Sequence, residues 1–244
     1  MTLNDYLNYK KDNTYLDKIY GTENTSNIIA SFVNSERPNL CLEIGTGLGV
    51  STFKIGSALK NNKQGLLITI DDGRDWNNVK EFTPYPDLDY YNYINKLIDE
   101  FALKNHISFI NEKVDYNLFY IPKDKIDLIF FDAWDSNTKG VFAFLKFYLP
   151  LMNAESSILI DNGLSYAGSC LIIKNIINHL NSNNLPQSLI EGISKEKLNA
   201  FKQLIEKHSF NLFTIKNKNN KHQSSLAWIQ LQKKDCLPSQ HFIW

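Results

Sequence analysis

Three short stretches carry the residue types that do chemistry. LEIGTGLGVSTF, residues 42–53, sets Gly45, Gly47 and Gly49 between an apolar run and a helical one, with Glu43 inside the apolar run. FFDAWDS, residues 130–136, ends an apolar run in Asp132 and adds Asp135; ILIDNG, residues 158–163, ends another in Asp161 and Asn162. Glycines spaced in this way let the backbone turn sharply and approach a ligand closely, with helix-terminal N–H groups pointing outward. A carboxylate buried in a strand must have a partner, whether a cationic ligand, backbone donors or a lysine. Two carboxylates and an amide oxygen at neighbouring strand ends are three hard oxygen ligands, suited to Mg²⁺ or a similar divalent ion. Blander roles exist for each. The glycines can make only a tight turn, Asp132 can cap a helix, and Asp161-Asn162 can form an ordinary turn or bind substrate hydroxyls directly.

The elements that must hold these residues read plainly. Seven segments are predicted as strands: 39–44, 65–71, 106–111, 126–132, 156–161, 210–216 and 225–231. The first five are nearly continuous apolar runs, the pattern of strands covered by helices on both faces. Helical periods lie between them, such as Tyr91, Ile94, Leu97, Ile98 and Phe101, and Leu198, Phe201, Leu204, Ile205 and His208. This alternation predicts an α/β fold, a doubly wound, Rossmann-like, seven-stranded sheet that is mostly parallel. The last two strands are joined by a polar loop without a helix, so they should form a C-terminal antiparallel hairpin. The expected organisation is one domain over 1–244, with an N-terminal helical segment over 1–34. Segments 72–91 and 181–194 do not fit the alternation and are expected to be lids or insertions.

Composition narrows the partners. The 244 residues carry a formal net charge of zero, with 43% hydrophobic and 13% aromatic residues, as in a packed globule. Arginine occurs only at Arg37 and Arg74, which argues against an extended nucleic-acid interface. Cys41, Cys170 and Cys236 form no CxxC pair, and Cys41 is expected to pack as a small hydrophobe. The chain starts without an apolar signal core and contains no run of membrane-spanning length, so a cytoplasmic protein without membrane contact is expected. The first thirty residues and 165–194 are candidate surfaces for a homodimer.

Motif spacing excludes several chemistries. Counting from Gly45, the sixth position is Val50, so the dinucleotide fingerprint fails, and no G-K-[ST] tail marks a P-loop. GLSYAG, 163–168, is one residue out of register for a hydrolase elbow, leaving Ser165 as a helix cap. The five histidines show no ligand spacing, and His106 and His208 border core segments. What remains is Glu43-x-Gly45-x-Gly47-x-Gly49 after strand one and Asp71 ending strand two. This pattern resembles the first motif and the ribose acid of class I S-adenosylmethionine-dependent methyltransferases, over roughly residues 25–232. The resemblance implies that Glu43, Gly45, Thr46, Gly47, Gly49, Ser51, Asp71 and Asp132 bind the cofactor. The glycine loop would lie beside its methionine part and Asp71 on its ribose.

FFDAWDS with IDN further resembles the metal-binding acids of catechol O-methyltransferase and the caffeoyl-coenzyme A type. That match implies Asp132, Asp161 and Asn162 as ligands of a divalent ion, with Trp134 repeating an Asp-x-Trp spacing. Where the catechol enzymes carry a basic lysine this chain has Asp135, so the base is Asp135, Lys139 after a local shift, or nothing beyond the metal. The reaction expected is methyl transfer to a hydroxyl of a small molecule, activated by the ion. Aromatic residues of 82–93 would cover the acceptor, unless Tyr91 belongs to a helix core face. The alternatives are methylation of a peptide, protein or carrier-bound substrate, with 181–194 and the HFIW tail as docking face, or a cofactor-binding module without catalysis.

Overall fold

A computed structural model describes residues 1–13, 23–114, 126–132, 138–161, 167–216 and 225–234, with the backbone alone at 11, 23, 24, 138, 139, 167, 168 and 216. Its seven strands follow the order β3-β2-β1-β4-β5-β7-β6. They are β1 (Leu40–Ile44), β2 (Leu66–Ile70), β3 (Ile107–Ile110), β4 (Ile126–Phe131), β5 (Met152–Asp161), β6 (His208–Lys216) and β7 (Ser225–Lys233). β1 pairs with β2, β2 with β3 and β4 with β5 in parallel, whereas β7 runs antiparallel to both β5 and β6. The predicted mostly parallel sheet with an antiparallel end is therefore what the chain forms. Contacts divide it into two compact units, Met1–Leu118 and Phe119–Trp244.

In the first unit, helices α1 (Leu3–Asp12), α2 (Glu23–Glu36), α3 (Val50–Asn62), α4 (Trp76–Val79) and α5 (Tyr90–Glu100) accompany β1 to β3. All five residues of β1 are buried, which is why its sequence shows no alternation. Cys41 is among them, packed as a small hydrophobe. α3 begins after Gly49, whose φ of 81° suits glycine, and a Cβ there would lie 2.4 Å from the Phe53 ring. Tyr6 of α1, Phe53 of α3 and Phe101 form an aromatic cluster that joins these elements, with Phe53 edge-on to the other two.

One expectation for this unit changes. α5 buries Tyr90, Tyr93, Ile94, Leu97 and Ile98, whereas Tyr91 is 51% exposed. The apolar stripe thus starts one residue earlier than the periodicity suggested, and Tyr91 stacks instead on Phe109 of β3. Within 72–91, a few side chains reach the core. Trp76 and Val79 of α4 are buried, the Trp76 indole donates to the Leu88 carbonyl at 3.1 Å, and its ring lies 4.6 Å from that of Tyr93. Asp89 caps α5 by accepting from the Asn92 N–H at 2.8 Å.

The second unit holds β4 to β7 with α6 (Thr138–Tyr148), α7 (Ala167–Asn181), α8 (Gln187–Ile190) and α9 (Lys195–Lys207). Phe131 of β4 stacks on Phe144 of α6, with ring centroids 4.3 Å apart. The Asn181 amide clamps β6, donating to the Phe210 carbonyl and accepting from its N–H, each at 2.8 Å. β5 starts four residues earlier than predicted, because Met152 pairs with Ile126 before an irregularity in register between Ile126 and Leu128. Segment 181–194 includes α8, whose Leu189 is fully buried. His208 opens β6 and is buried, its Nδ1 lying 3.0 Å from the Leu204 carbonyl. Among the described residues, no helix is long and apolar enough to cross a membrane.

Candidate functional site

The glycine loop follows β1 directly, and three consecutive residues tie it to β2. The Gly45 N–H donates to the Ile70 carbonyl at 2.9 Å, and the Thr46 hydroxyl lies 2.6 Å from that of Thr69. The Gly47 N–H donates to Asp71 Oδ2 at 2.9 Å. Two of the loop's carbonyls are held as well: the Tyr90 hydroxyl donates to the Gly47 carbonyl at 2.8 Å, and that of Tyr6 to the Leu48 carbonyl at 2.5 Å. Gly49 N–H closes the turn onto the Thr46 carbonyl at 2.8 Å. A loop fixed on both sides presents its conformation to a ligand before the ligand arrives, so little ordering remains for binding to impose.

Glu43 lies beneath this loop with no exposure to solvent. Among the described residues its partners are three hydroxyls. Ser51 donates to Oε1 at 2.5 Å, Thr69 donates to Oε2 at 2.6 Å, and Thr52 donates to Oε2 as well. Ser51 and Thr52 come from the first turn of α3, and Thr69 is the register partner of Glu43 on β2. Burial pushes the Glu43 carboxyl up to about 7, against the three hydroxyl bonds that favour its ionised form and with a smaller upward push from Asp71. Asp71, just past β2, also accepts from the Gly73 N–H at 2.7 Å. Burial raises its pKa, and the Gly47 and Gly73 amides oppose that rise.

The acids of the second unit lie at strand ends. Phe131 of β4 is the register partner of Ile160 of β5, so Asp132 and Asp161 are the next residues on two neighbouring parallel strands. Asp161 is buried and Asp132 half-buried. Asn162, Trp134, Asp135, Ser165, Cys236 and the HFIW tail lie outside the described residues, as does the Lys139 side chain. Among the described residues there is no cluster of three His, Cys, Asp or Glu side chains that could hold a metal.

The structure thus brings together Glu43, Gly45, Thr46, Gly47, Gly49, Ser51 and Asp71, all expected from the sequence. It adds Thr52, Thr69, Tyr6 and Tyr90, which sequence reasoning missed. Thr69 was legible in principle: it stands two residues before Asp71 as Glu43 stands two before Gly45, and two parallel strands in that alignment place the pair side by side.

A seven-stranded sheet in this order, with a glycine loop after β1 and an acid after β2, defines the class I S-adenosylmethionine-dependent methyltransferases. The sequence family described as "Methyltransferase domain" matches residues 42–163, half of the chain, and the chain belongs to that family. Solved structures share the fold at low identity. The O-methyltransferase TomG from Streptomyces achromogenes, in complex with S-adenosylmethionine, is 14% identical with a TM-score of 0.57, covering 94% of this chain and 89% of that one. The O-methyltransferase from Bacillus cereus, in complex with S-adenosylhomocysteine, is 14% identical with a TM-score of 0.54, over 94% and 90% of the two chains. A methyltransferase from Podospora anserina bound to S-adenosylhomocysteine is 15% identical with a TM-score of 0.55, over 96% and 88%. No curated protein sequence matches the chain.

Proposed function

We propose that this methyltransferase transfers the cofactor's methyl group to a hydroxyl of a small molecule, with a divalent ion held by Asp132, Asp161 and Asn162. The observation that carries the reading is the register of β4 and β5, which makes Asp132 and Asp161 successive neighbours at two strand ends. Two adjacent carboxylates are a donor set of hard oxygens, and such a set fits Mg²⁺. The names of TomG and of the Bacillus cereus protein, both O-methyltransferases, point the same way.

In this reading the glycine loop, with Glu43 beneath it, receives the methionine part of the cofactor, and Asp71 accepts the ribose hydroxyls in addition to its two amides. A divalent ion held by Asp132, Asp161 and Asn162 would supply Lewis acidity that lowers the pKa of the acceptor hydroxyl. The acceptor oxygen bonds to the methyl carbon as the carbon–sulfur bond breaks, which leaves S-adenosylhomocysteine. The hydroxyl proton goes to Asp135, Lys139 or solvent.

The test is S-adenosylhomocysteine release with catechol and other vicinal diols as acceptors. Turnover should disappear with EDTA and return with Mg²⁺. Turnover indifferent to chelation would remove the ion from the reading. Cofactor binding without turnover across a broad acceptor panel would replace it with a non-catalytic module.

A further inference from the structure

Thr69 lies inside β2, fully buried, with its hydroxyl proton directed to Glu43 Oε2. A hydroxyl has one proton and two acceptor lone pairs. Since the Thr69 proton is committed to the carboxylate, the proton in the 2.6 Å contact between Thr46 and Thr69 comes from Thr46. Ser51 and Thr52 direct theirs to Glu43 too. The chain of hydroxyls therefore runs one way, from Thr46 through Thr69 to the ionised carboxylate. At its other end the Thr46 side chain, itself buried, has given its proton to Thr69 and keeps acceptor lone pairs, between Gly45 and Gly47, whose φ values are 97° and 53°.

We propose that Thr69 is a positioning residue of the cofactor site, fixing the Thr46 hydroxyl as an acceptor for the ammonium at the cofactor's amino-acid end. The inference rests on the reading that the glycine loop receives the methionine part of the cofactor. It explains why a polar side chain occupies a strand position that Val or Ile would otherwise fill: Thr69 is bonded to both the carboxylate and the loop. A directed acceptor favours a cationic donor and disfavours an anion, which gives the loop a polarity that its backbone amides alone do not have.

The experiment compares two ligands by calorimetry at about pH 8.5, where Glu43 is ionised. S-adenosylhomocysteine carries the ammonium, whereas 5′-methylthioadenosine has the same nucleoside and thioether but no amino-acid end. Thr69→Val should weaken S-adenosylhomocysteine by about tenfold or more and leave methylthioadenosine within about twofold. Thr69→Ser, which restores the hydroxyl, should recover the loss. Should Thr69→Val fail to fold, Thr46→Val removes the same contact from the loop side and must show the same selective loss. Equal weakening of both ligands, no weakening of either, or failure of serine to rescue would overturn the proposal. If the unaltered protein bound neither ligand, the cofactor reading beneath it would fall as well.

Discussion

Glu43 stands within a strand, whereas Asp132 and Asp161 stand at the ends of two strands, β4 and β5. Glu43 stands inside β1, sealed from solvent, with three hydroxyls on its oxygens. Asp132 follows the last residue of β4 and is half-buried, beside Asp161 at the end of β5. An acid within a strand must be accommodated by the sheet and the helix over it, so its charge is answered by the protein's own donors. An acid at a strand's C-terminal end stands where the backbone leaves the sheet, which in open α/β folds is where ligands bind. Position along the strand, more than residue type, separates an acid that builds the site from one that can serve chemistry.

The widest separation between the two kinds of acid should appear in activity. Asp161→Ala removes one oxygen donor set at the strand end while leaving the glycine loop's own contacts in place. Methyl transfer to a vicinal diol should fall by about 10²-fold or more, with S-adenosylhomocysteine affinity retained. Retained turnover in that variant would break the comparison, because Asp161 would then be no more chemical than Glu43.

Glu43 should reveal itself through pH rather than turnover. Its ordinary value is 4.5 and burial raises it to about 7 in the folded chain. Between those values the folded chain holds a proton that the unfolded chain releases, so raising the pH favours unfolding. Its contribution is therefore fully present below 4.5 and lost as pH rises toward 7. Glu43→Gln does not titrate. Urea unfolding across this window should show the unaltered protein losing about 3 kcal/mol relative to the glutamine variant, levelling off above neutrality. Parallel pH curves would mean that the three hydroxyls already outweigh burial and keep Glu43 ionised throughout.

The sequence exposed one half of this contrast better than the other. Strands buried on both faces announce themselves as unbroken apolar runs, so β1, β2, β4 and most of β5 were legible, as was the hairpin from its helix-free polar connection. The start of β5 was not: Asn153, Ala154 and Glu155 carry no apolar signal, and their place in the strand follows Met152 pairing with Ile126. The packing of 72–91 was hidden because Pro84 and Pro86 read as loop punctuation, while Trp76 is buried through contacts with Leu88 and Tyr93. In the site, Glu43 and Asp71 stood out by charge against apolar neighbours. Thr69 did not, since a lone threonine in a β-branched run looks like ordinary strand propensity. Its partners, Glu43 and Thr46, lie across the strand pairing.

The smallest expected effect concerns the Leu48 carbonyl of the glycine loop. Tyr6 of α1 directs its hydroxyl proton to the Leu48 carbonyl, and its oxygen lies 2.9 Å from the Tyr93 hydroxyl, which must supply the proton of that second contact. Tyr93 is itself buried, and that burial holds its pKa well above the usual phenol value, so it stays a neutral donor. Tyr6→Phe keeps the aromatic packing against Phe53 and Phe101 but leaves the Leu48 carbonyl and the Tyr93 proton unanswered. Denaturant unfolding should register a loss of roughly 1–2 kcal/mol. Because the loop remains tied to β2 through Gly45, Thr46 and Gly47, cofactor affinity should fall by less than in Thr69→Val. An affinity loss as large as that of Thr69→Val would show that the Leu48 carbonyl contact, rather than the hydroxyl chain, sets the shape of the loop.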